Sequence, residues 1–331
     1  MKDFVAICKK TQKELKKFVA EKLTTTHDKV INTKGYVFAQ GSFPVLLVAH
    51  LDTVHKELPT EVMYDTETQA ISAKNGIGGD DRCGVYMILE IIKKHNCSVL
   101  FCEDEEVGGI GADEFAESKL AKECKFNYII ELDRKGEKDA VFYDCDNKDF
   151  TDFITKDFYK KAYGSFSDIS IIAPALKCAA VNLSCGYYKA HTKDEYVIFP
   201  QMQQSIKEVC KILERTTDEN KYEYVECKRS YYYYGYPYYS EYYGGYYGSS
   251  YKNYRSKNTY NSYNKKEKTN DKFYYFITYM NASDHIDYYS THATCEAEAV
   301  GRFLIENSDL TYRNIIEIED LYDDDYSDYS R

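Results

Sequence analysis

The chain has 331 residues, a formal net charge of −11 and eleven cysteines. The acidic balance argues against nucleic acid as a partner, and the absence of an apolar leader or of any run of 18 or more apolar residues predicts a cytoplasmic protein with no membrane association. The cysteines are odd in number and scattered singly, several of them in predicted strands and helices (Cys83, Cys102, Cys178, Cys210), which fits reduced, buried thiols better than a disulfide framework.

Residues 3–22 carry Phe4, Val5, Ile7, Leu15, Phe18 and Val19 among many lysines and read as an amphipathic helix. Next, the apolar run Val45–Ala49 predicts a buried strand that ends in His50 and Asp52. In open α/β sheets sites are built at such carboxyl ends. A hairpin is expected over Val62–Asp65 and Ala70–Ala73. The glycine-rich turn Gly76-Ile-Gly-Gly-Asp-Asp-Arg82 then opens a helix over 80–95, with Val85, Ile88, Leu89 and Ile92 on one face. The strand Ser98–Cys102 is followed by Asp104, Glu105 and Glu106, and the strand Tyr128–Leu132 by Asp133 and Arg134. The loop Gly164-Ser165-Phe-Ser167-Asp168 precedes a helix over Ile169–Leu176. Either Ser167 or Asp168 caps that helix, or the loop lines a pocket. The strand Ala179–Ser184 and a turn lead to His191, and residues 196–214 read as a closing helix.

Strands alternating with helices predict an α/β three-layer sandwich with a central, largely parallel mixed sheet. Acids that directly follow buried strands are costly as unpaired core residues. Five such places in order, holding two of the seven histidines, point to a metal site.

These motifs resemble the co-catalytic dizinc exopeptidases, the clan of leucyl- and glutamyl-type aminopeptidases, tripeptidase T and carboxypeptidase G. The residues that carry the resemblance are His50-x-Asp52, Gly79-Asp80-Asp81-Arg82, Glu105-Glu106-Val-Gly-Gly, Leu132-Asp133 and His191, within residues 1–215. The resemblance implies two Zn2+ ions, with Co2+ or Mn2+ as alternatives. Asp80 would bridge them, His50 and Asp133 would complete one site, and Glu106 and His191 the other. Glu105 would be the general base of amide hydrolysis, and Asp52 would accept the imidazole N–H of His50 and fix its tautomer. Arg82, Arg134, Ser165 and Asp168 are candidates for contacting a short peptide substrate. Only 58 residues separate Asp133 from His191 and 30 separate His50 from Asp80. That leaves no room for an inserted domain of typical size, as in the compact leucyl-type aminopeptidases.

The chain then changes character. Fifteen of the 36 tyrosines lie between Tyr231 and Tyr263, and no aliphatic residue occurs from Ser230 to Thr269. Residues 216–271 read as a low-complexity, disordered linker, or as a tract whose rings bind a protein partner or another copy. A small β-α-β-like α+β unit is expected over 272–321, with strands at Lys272–Met280 and Asn314–Glu319, a helix at Thr294–Asn307 and two surface histidines, His285 and His292. Residues 322–331 form an acidic tail. Two alternatives to an aminopeptidase stand: an N-acyl amino-acid deacylase or carboxypeptidase of the same clan, and a non-catalytic scaffold acting through the tyrosine-rich tract and the C-terminal unit.

Overall fold

The computed structural model describes residues 1–227 except Ser165, and further on residues 273–280, 286–293, 296–307, 310 and 315–321. The chain divides into two units, Met1–Tyr233 and Tyr234–Arg331.

The first unit begins with α1 (Lys2–Cys8), α2 (Gln12–Leu23), β1 (Lys29–Thr33), β2 (Tyr36–Gln40), β3 (Phe43–His50), β4 (Met63–Tyr64), β5 (Ala70–Ser72), α3 (Gly79–Ile91), β6 (Cys97–Cys102) and α4 (Ile110–Glu117). It continues with α5 (Lys119–Glu123), β7 (Tyr128–Arg134), β8 (Asp139–Val141), α6 (Lys148–Ile154), β9 (Lys160–Ala162), α7 (Ile169–Leu176), β10 (Ala180–Ser184), β11 (Tyr187–Tyr188), β12 (Tyr196–Ile198) and α8 (Phe199–Glu214).

Eight strands make one sheet in the order β1-β2-β6-β3-β7-β10-β8-β9. Its middle four, β6, β3, β7 and β10, are parallel. Side chains along β3 alternate between the two faces. Val45, Leu47 and Ala49 join a core with Val85 and Ile88 of α3 and Val209 and Leu213 of α8. Leu46 and Val48 join a second core with Phe115 of α4 and Ile172 of α7. Helices therefore cover both faces, and the expected three-layer α/β architecture is present.

A second, antiparallel sheet, β11-β12-β5-β4, stands beside the first. It contains the expected hairpin as β4 and β5 and adds two strands the sequence reading assigned to a turn and a helix. Tyr196–Ile198 is extended because it pairs with β5, and α8 starts only at Phe199, with proline in its first turn. The expected 3–22 helix is likewise two helices. Thr11 and Glu14 form a capping box that starts α2 afresh.

The fold of the first unit continues past 215. Glu223 bridges to Cys178 and Glu226 to Cys145, and the Tyr222 ring packs 5.2 Å from Phe150 and 5.5 Å from Phe153.

The second unit holds β13 (Phe273–Met280), β14 (Ile286–Ala293), α9 (Glu296–Glu306) and β15 (Ile315–Leu321). The strands form an antiparallel sheet in the order β14-β13-β15. Tyr275, Ile277 and Tyr279 make its core with Ala299, Val300 and Phe303. The expected β-α-β order thus lacked β14, which interrupts its aromatic residues with Asp287, Ser290, Thr291 and His292. The tyrosine-rich tract, His285 and the acidic tail lie outside the described residues. Among the described residues, no helix is long and apolar enough to cross a membrane.

Candidate metal centre

Parallel register brings three strand ends together. His50 on β3 lies opposite Cys102, the last residue of β6, and Val48 lies opposite Glu131, two residues before Asp133 on β7. The His50, Glu105–Glu106 and Asp133 segments therefore leave one edge of the sheet side by side.

His50 is buried. Its Nδ1 lies 3.1 Å from Asp52 Oδ1, while Nε2 lies 3.0 Å from Asp80 Oδ1 and 3.5 Å from Asp133 Oδ1. A carboxylate at one ring nitrogen fixes the tautomer that leaves the other free to ligate. Asp52 has a further role. Its two oxygens accept the backbone N–H groups of Glu105 at 3.1 Å and Glu106 at 3.0 Å, so one carboxylate orients the imidazole and the acidic loop together.

Asp80 follows a turn with Gly76 at φ +88° and Gly78 at φ +68°, conformations that favour glycine. Its Oδ2 faces His191 Nε2 at 3.2 Å, and the same nitrogen lies 3.0 Å from Glu106 Oε2. Asp80 therefore stands between the two imidazoles. Asp81 points elsewhere, accepting the N–H groups of His50 at 3.2 Å and Gly84 at 2.8 Å.

His191 comes from the loop joining β11 to β12, at φ +63°. Its side chain is 45 % exposed, which makes it the open side of the group. Asp133 is held from below. Its N–H donates to Asn182 Oδ1 at 2.9 Å, and its carboxylate receives the Ser167 hydroxyl at 3.2 Å and the Tyr187 hydroxyl at 3.3 Å.

Electrostatics marks a deficit of positive charge. Burial alone would lower the His50 pKa, yet Asp133, Asp52 and Asp80 push it well above the ordinary value. His191 rises to about 11, because Asp80 and Glu106 outweigh its burial. Burial and the neighbouring Asp80 raise Asp133 to about 6. Burial raises Glu105 well above the usual carboxylate range, with Asp133, Asp168 and Glu106 adding to it and His50 opposing. Glu106 is also raised, by burial and then Asp80, and its Oε1 is buried without a hydrogen-bond partner.

This donor set fits a divalent metal pair. His50, Asp80 and Asp133 place ligand atoms within 4.8 Å of one another, and so do Asp80, Glu106 and His191, two groups that share Asp80. A third grouping within the same limit joins His50, Glu105 and Glu106. Imidazole and carboxylate are the donors zinc takes in catalytic sites.

The four substrate candidates fare differently. Arg82 is 1 % exposed. Its Nη1 donates to the carbonyl of Asp52 and its Nη2 to that of Lys10 at 3.2 Å, so it braces backbone beneath the site. Arg134 is partly exposed and donates through Nε to Asp139 at 3.2 Å. Asp168 is fully buried at the start of α7 and makes no capping bond. Ser165 lies outside the described residues.

Sequence reading missed Glu195, buried four residues after His191, which accepts the N–H of Asp80 at 3.0 Å. The run Lys193-Asp194-Glu195 carries no local sign of burial, and the spacing from His191 is the one signal it offers.

Comparison with protein families and with curated proteins returns no match. Solved structures do match in fold. Aminopeptidase PepT from Bacillus cereus is 13 % identical, with a TM-score of 0.50, over 64 % of this chain and 96 % of that one. A tripeptidase from Staphylococcus aureus is 12 % identical, with a TM-score of 0.51, over 64 % and 96 %. An aminopeptidase from the archaeon Desulfurococcus kamchatkensis is 16 % identical, with a TM-score of 0.53, over 66 % and 95 %. The fold of these two aminopeptidases and the tripeptidase is the fold this chain has.

Proposed function

We propose that this chain, built on the fold of the co-catalytic zinc exopeptidases, is a two-zinc peptidase that removes N-terminal residues from short peptides. The observation that carries the reading is the pair of ligand groups His50–Asp80–Asp133 and Asp80–Glu106–His191, joined at one carboxylate. Asp80 would hold both ions, since a carboxylate can serve two metals and a neutral imidazole cannot. When bound, the ions supply electrophilic polarisation of the scissile carbonyl and make water acidic enough to attack at neutral pH.

The residues around them do the rest. Glu105 is the general base. Its side chain groups with His50 and Glu106, one member of each ligand set. It takes the proton of the attacking water on its carboxylate and delivers it to the leaving amide nitrogen. Asp52 keeps Glu105 at reach through its backbone N–H. The half-exposed His191 leaves the site open on the side from which a peptide enters.

The arginines favour an aminopeptidase over a carboxypeptidase. A substrate carboxylate calls for a free guanidinium or ammonium, whereas Arg82 is buried on two carbonyls and Arg134 is paired with Asp139. Metal analysis followed by a screen of aminoacyl, acyl and carboxy-terminal amide substrates, with and without chelator, tests the proposal. Two bound zinc ions and chelator-sensitive release of N-terminal residues are expected. A metal-free, inert protein would overturn it in favour of a scaffold.

A further inference from the structure

Three of the ligand-bearing segments converge on a side chain that ligates nothing. Glu195 is fully buried. Its Oε2 accepts the N–H of Gly78 at 2.7 Å and faces His55 Nε2 at 2.8 Å, and its Oε1 accepts the N–H of Asp80 at 3.0 Å. The partners come from two ligand segments and Glu195 itself from a third. His55 lies in the loop after His50 and Asp52, Gly78 and Asp80 form the turn that delivers the bridging carboxylate, and Glu195 ends the loop that carries His191.

The turn needs such an anchor. Residues 76–79 are Gly-Ile-Gly-Gly, so little side chain is there to pack, and the backbone groups must be satisfied by something else. A buried carboxylate is costly unless donors surround it, and here two peptide N–H groups and one imidazole do so. The contacts are close. A methyl group on Gly76 would lie 2.1 Å from His55 Cε1, and one on Gly79 would lie 2.8 Å from Val197 and 2.9 Å from Tyr187 on the β11–β12 hairpin. The His55 ring and the hairpin thus press on the same glycine turn from two sides.

We infer that Glu195, oriented by His55, is a positioning residue that sets Asp80 between the two metal sites and locks the His50, Asp80 and His191 segments into one register. The inference rests on the two-metal reading of Asp80. A glutamine at 195 keeps the volume, but its NH2 opposes an N–H donor at one end. Asp80 is shared, so its displacement weakens both sites at once. Outer-shell partners of ligands change metal affinity by roughly 10–100-fold, and that is the scale expected here.

The test is zinc titration into chelator-treated full-length protein, by calorimetry, with the melting temperature of the metal-free protein recorded alongside. Glu195→Gln is expected to weaken both zinc-binding steps by about ten- to a hundredfold. His55→Leu, which leaves the fold-forming carboxylate in place, should weaken both steps by a smaller factor. His55→Gln, which restores an N–H donor, should recover most of that loss. A merely structural role would lower the melting temperature of the metal-free variants and leave both zinc affinities unchanged, and that result overturns the inference. If Glu195→Gln does not fold, the His55 pair decides: equal zinc affinity in wild type and His55→Leu overturns it. A wild-type chain that takes up no zinc would overturn the two-metal reading itself, a distinct outcome.

Discussion

The carboxylate of Asp52 receives the backbone N–H of Glu106 at 3.0 Å, while its other oxygen faces His50 Nδ1 at 3.1 Å. One side chain thus links a proposed ligand of the first metal group to a proposed ligand of the second. Asp52→Asn keeps the size but puts an NH2 against donors on one side. Zinc affinity should fall by roughly ten- to a hundredfold, with the fold intact by circular dichroism. Unchanged affinity would mean that neither link orients a ligand.

Glu105→Gln separates chemistry from metal binding. Glu105 is the base of the proposed reaction, and positioned acid–base groups contribute about 10²–10⁴-fold. Turnover should drop by at least about a hundredfold while two zinc ions still bind. In the metal-loaded wild type, kcat/KM should decline as pH falls through the pKa of the base, because Glu105 is then protonated. A fully active variant would remove Glu105 from the mechanism.

Arg82→Met tests whether this guanidinium holds structure or substrate. Its two hydrogen bonds go to the carbonyls of Asp52 and Lys10, and leaving a buried acceptor unpaired costs about 1–3 kcal/mol. The melting temperature should fall by several degrees, at about 2–4 °C per kcal/mol for a unit of this size. KM for an aminoacyl substrate should stay within about twofold, a change worth less than 0.5 kcal/mol. A large rise in KM with stability unchanged would return Arg82 to the substrate pocket.

Asp168 gives the metal-free protein a pH signature. Burial pushes its carboxyl from an ordinary 3.8 up to about 7, with Asp133 and Asp52 contributing in the same direction and His50 and Cys102 opposing. Between those values the folded chain holds a proton that the unfolded chain has released. The contribution of Asp168 to stability therefore declines as pH rises through this window and is gone above it. Thermal melts of chelator-treated protein from pH 5 to pH 8 should show the melting temperature falling, and Asp168→Asn should flatten the slope. An equally steep slope in that variant would assign the effect to other groups.

The sequence made the centre of this fold legible where burial and chemistry are written in the same few residues. Val45–Ala49 can only be a buried strand, so His50 and Asp52 at its end stand out, and the same logic finds Glu105, Glu106 and Asp133. Tertiary pairing hid the rest. Tyr196–Ile198 extends only because β5 lies beside it, and nothing local separates it from the helix that follows. The break between α1 and α2 was visible in Thr11 and Glu14, but the apolar spacing across it looked continuous. Glu195 is charged and flanked by charge, so its burial depends on a glycine turn more than a hundred residues earlier. Arg82 shows the converse: beside a ligand motif it resembles a substrate contact, and only its burial reveals the carbonyls it holds.

The proposed ligands are widely dispersed along the chain. His50, Asp80, Glu106, Asp133 and His191 come from five separate segments, and none of the spacings between neighbours is shorter than 26 residues. An unfolded chain cannot bring these five together, although its cysteines, histidines and adjacent acids still offer zinc weaker, unorganised donors. Zinc should therefore favour the native state, and its free concentration should act as a dial on global stability, worth at most about 2.7 kcal/mol at a hundred times the dissociation constant. In a cell poor in zinc, the same molecule would be easier prey for proteases, so its abundance as well as its activity would follow the metal supply.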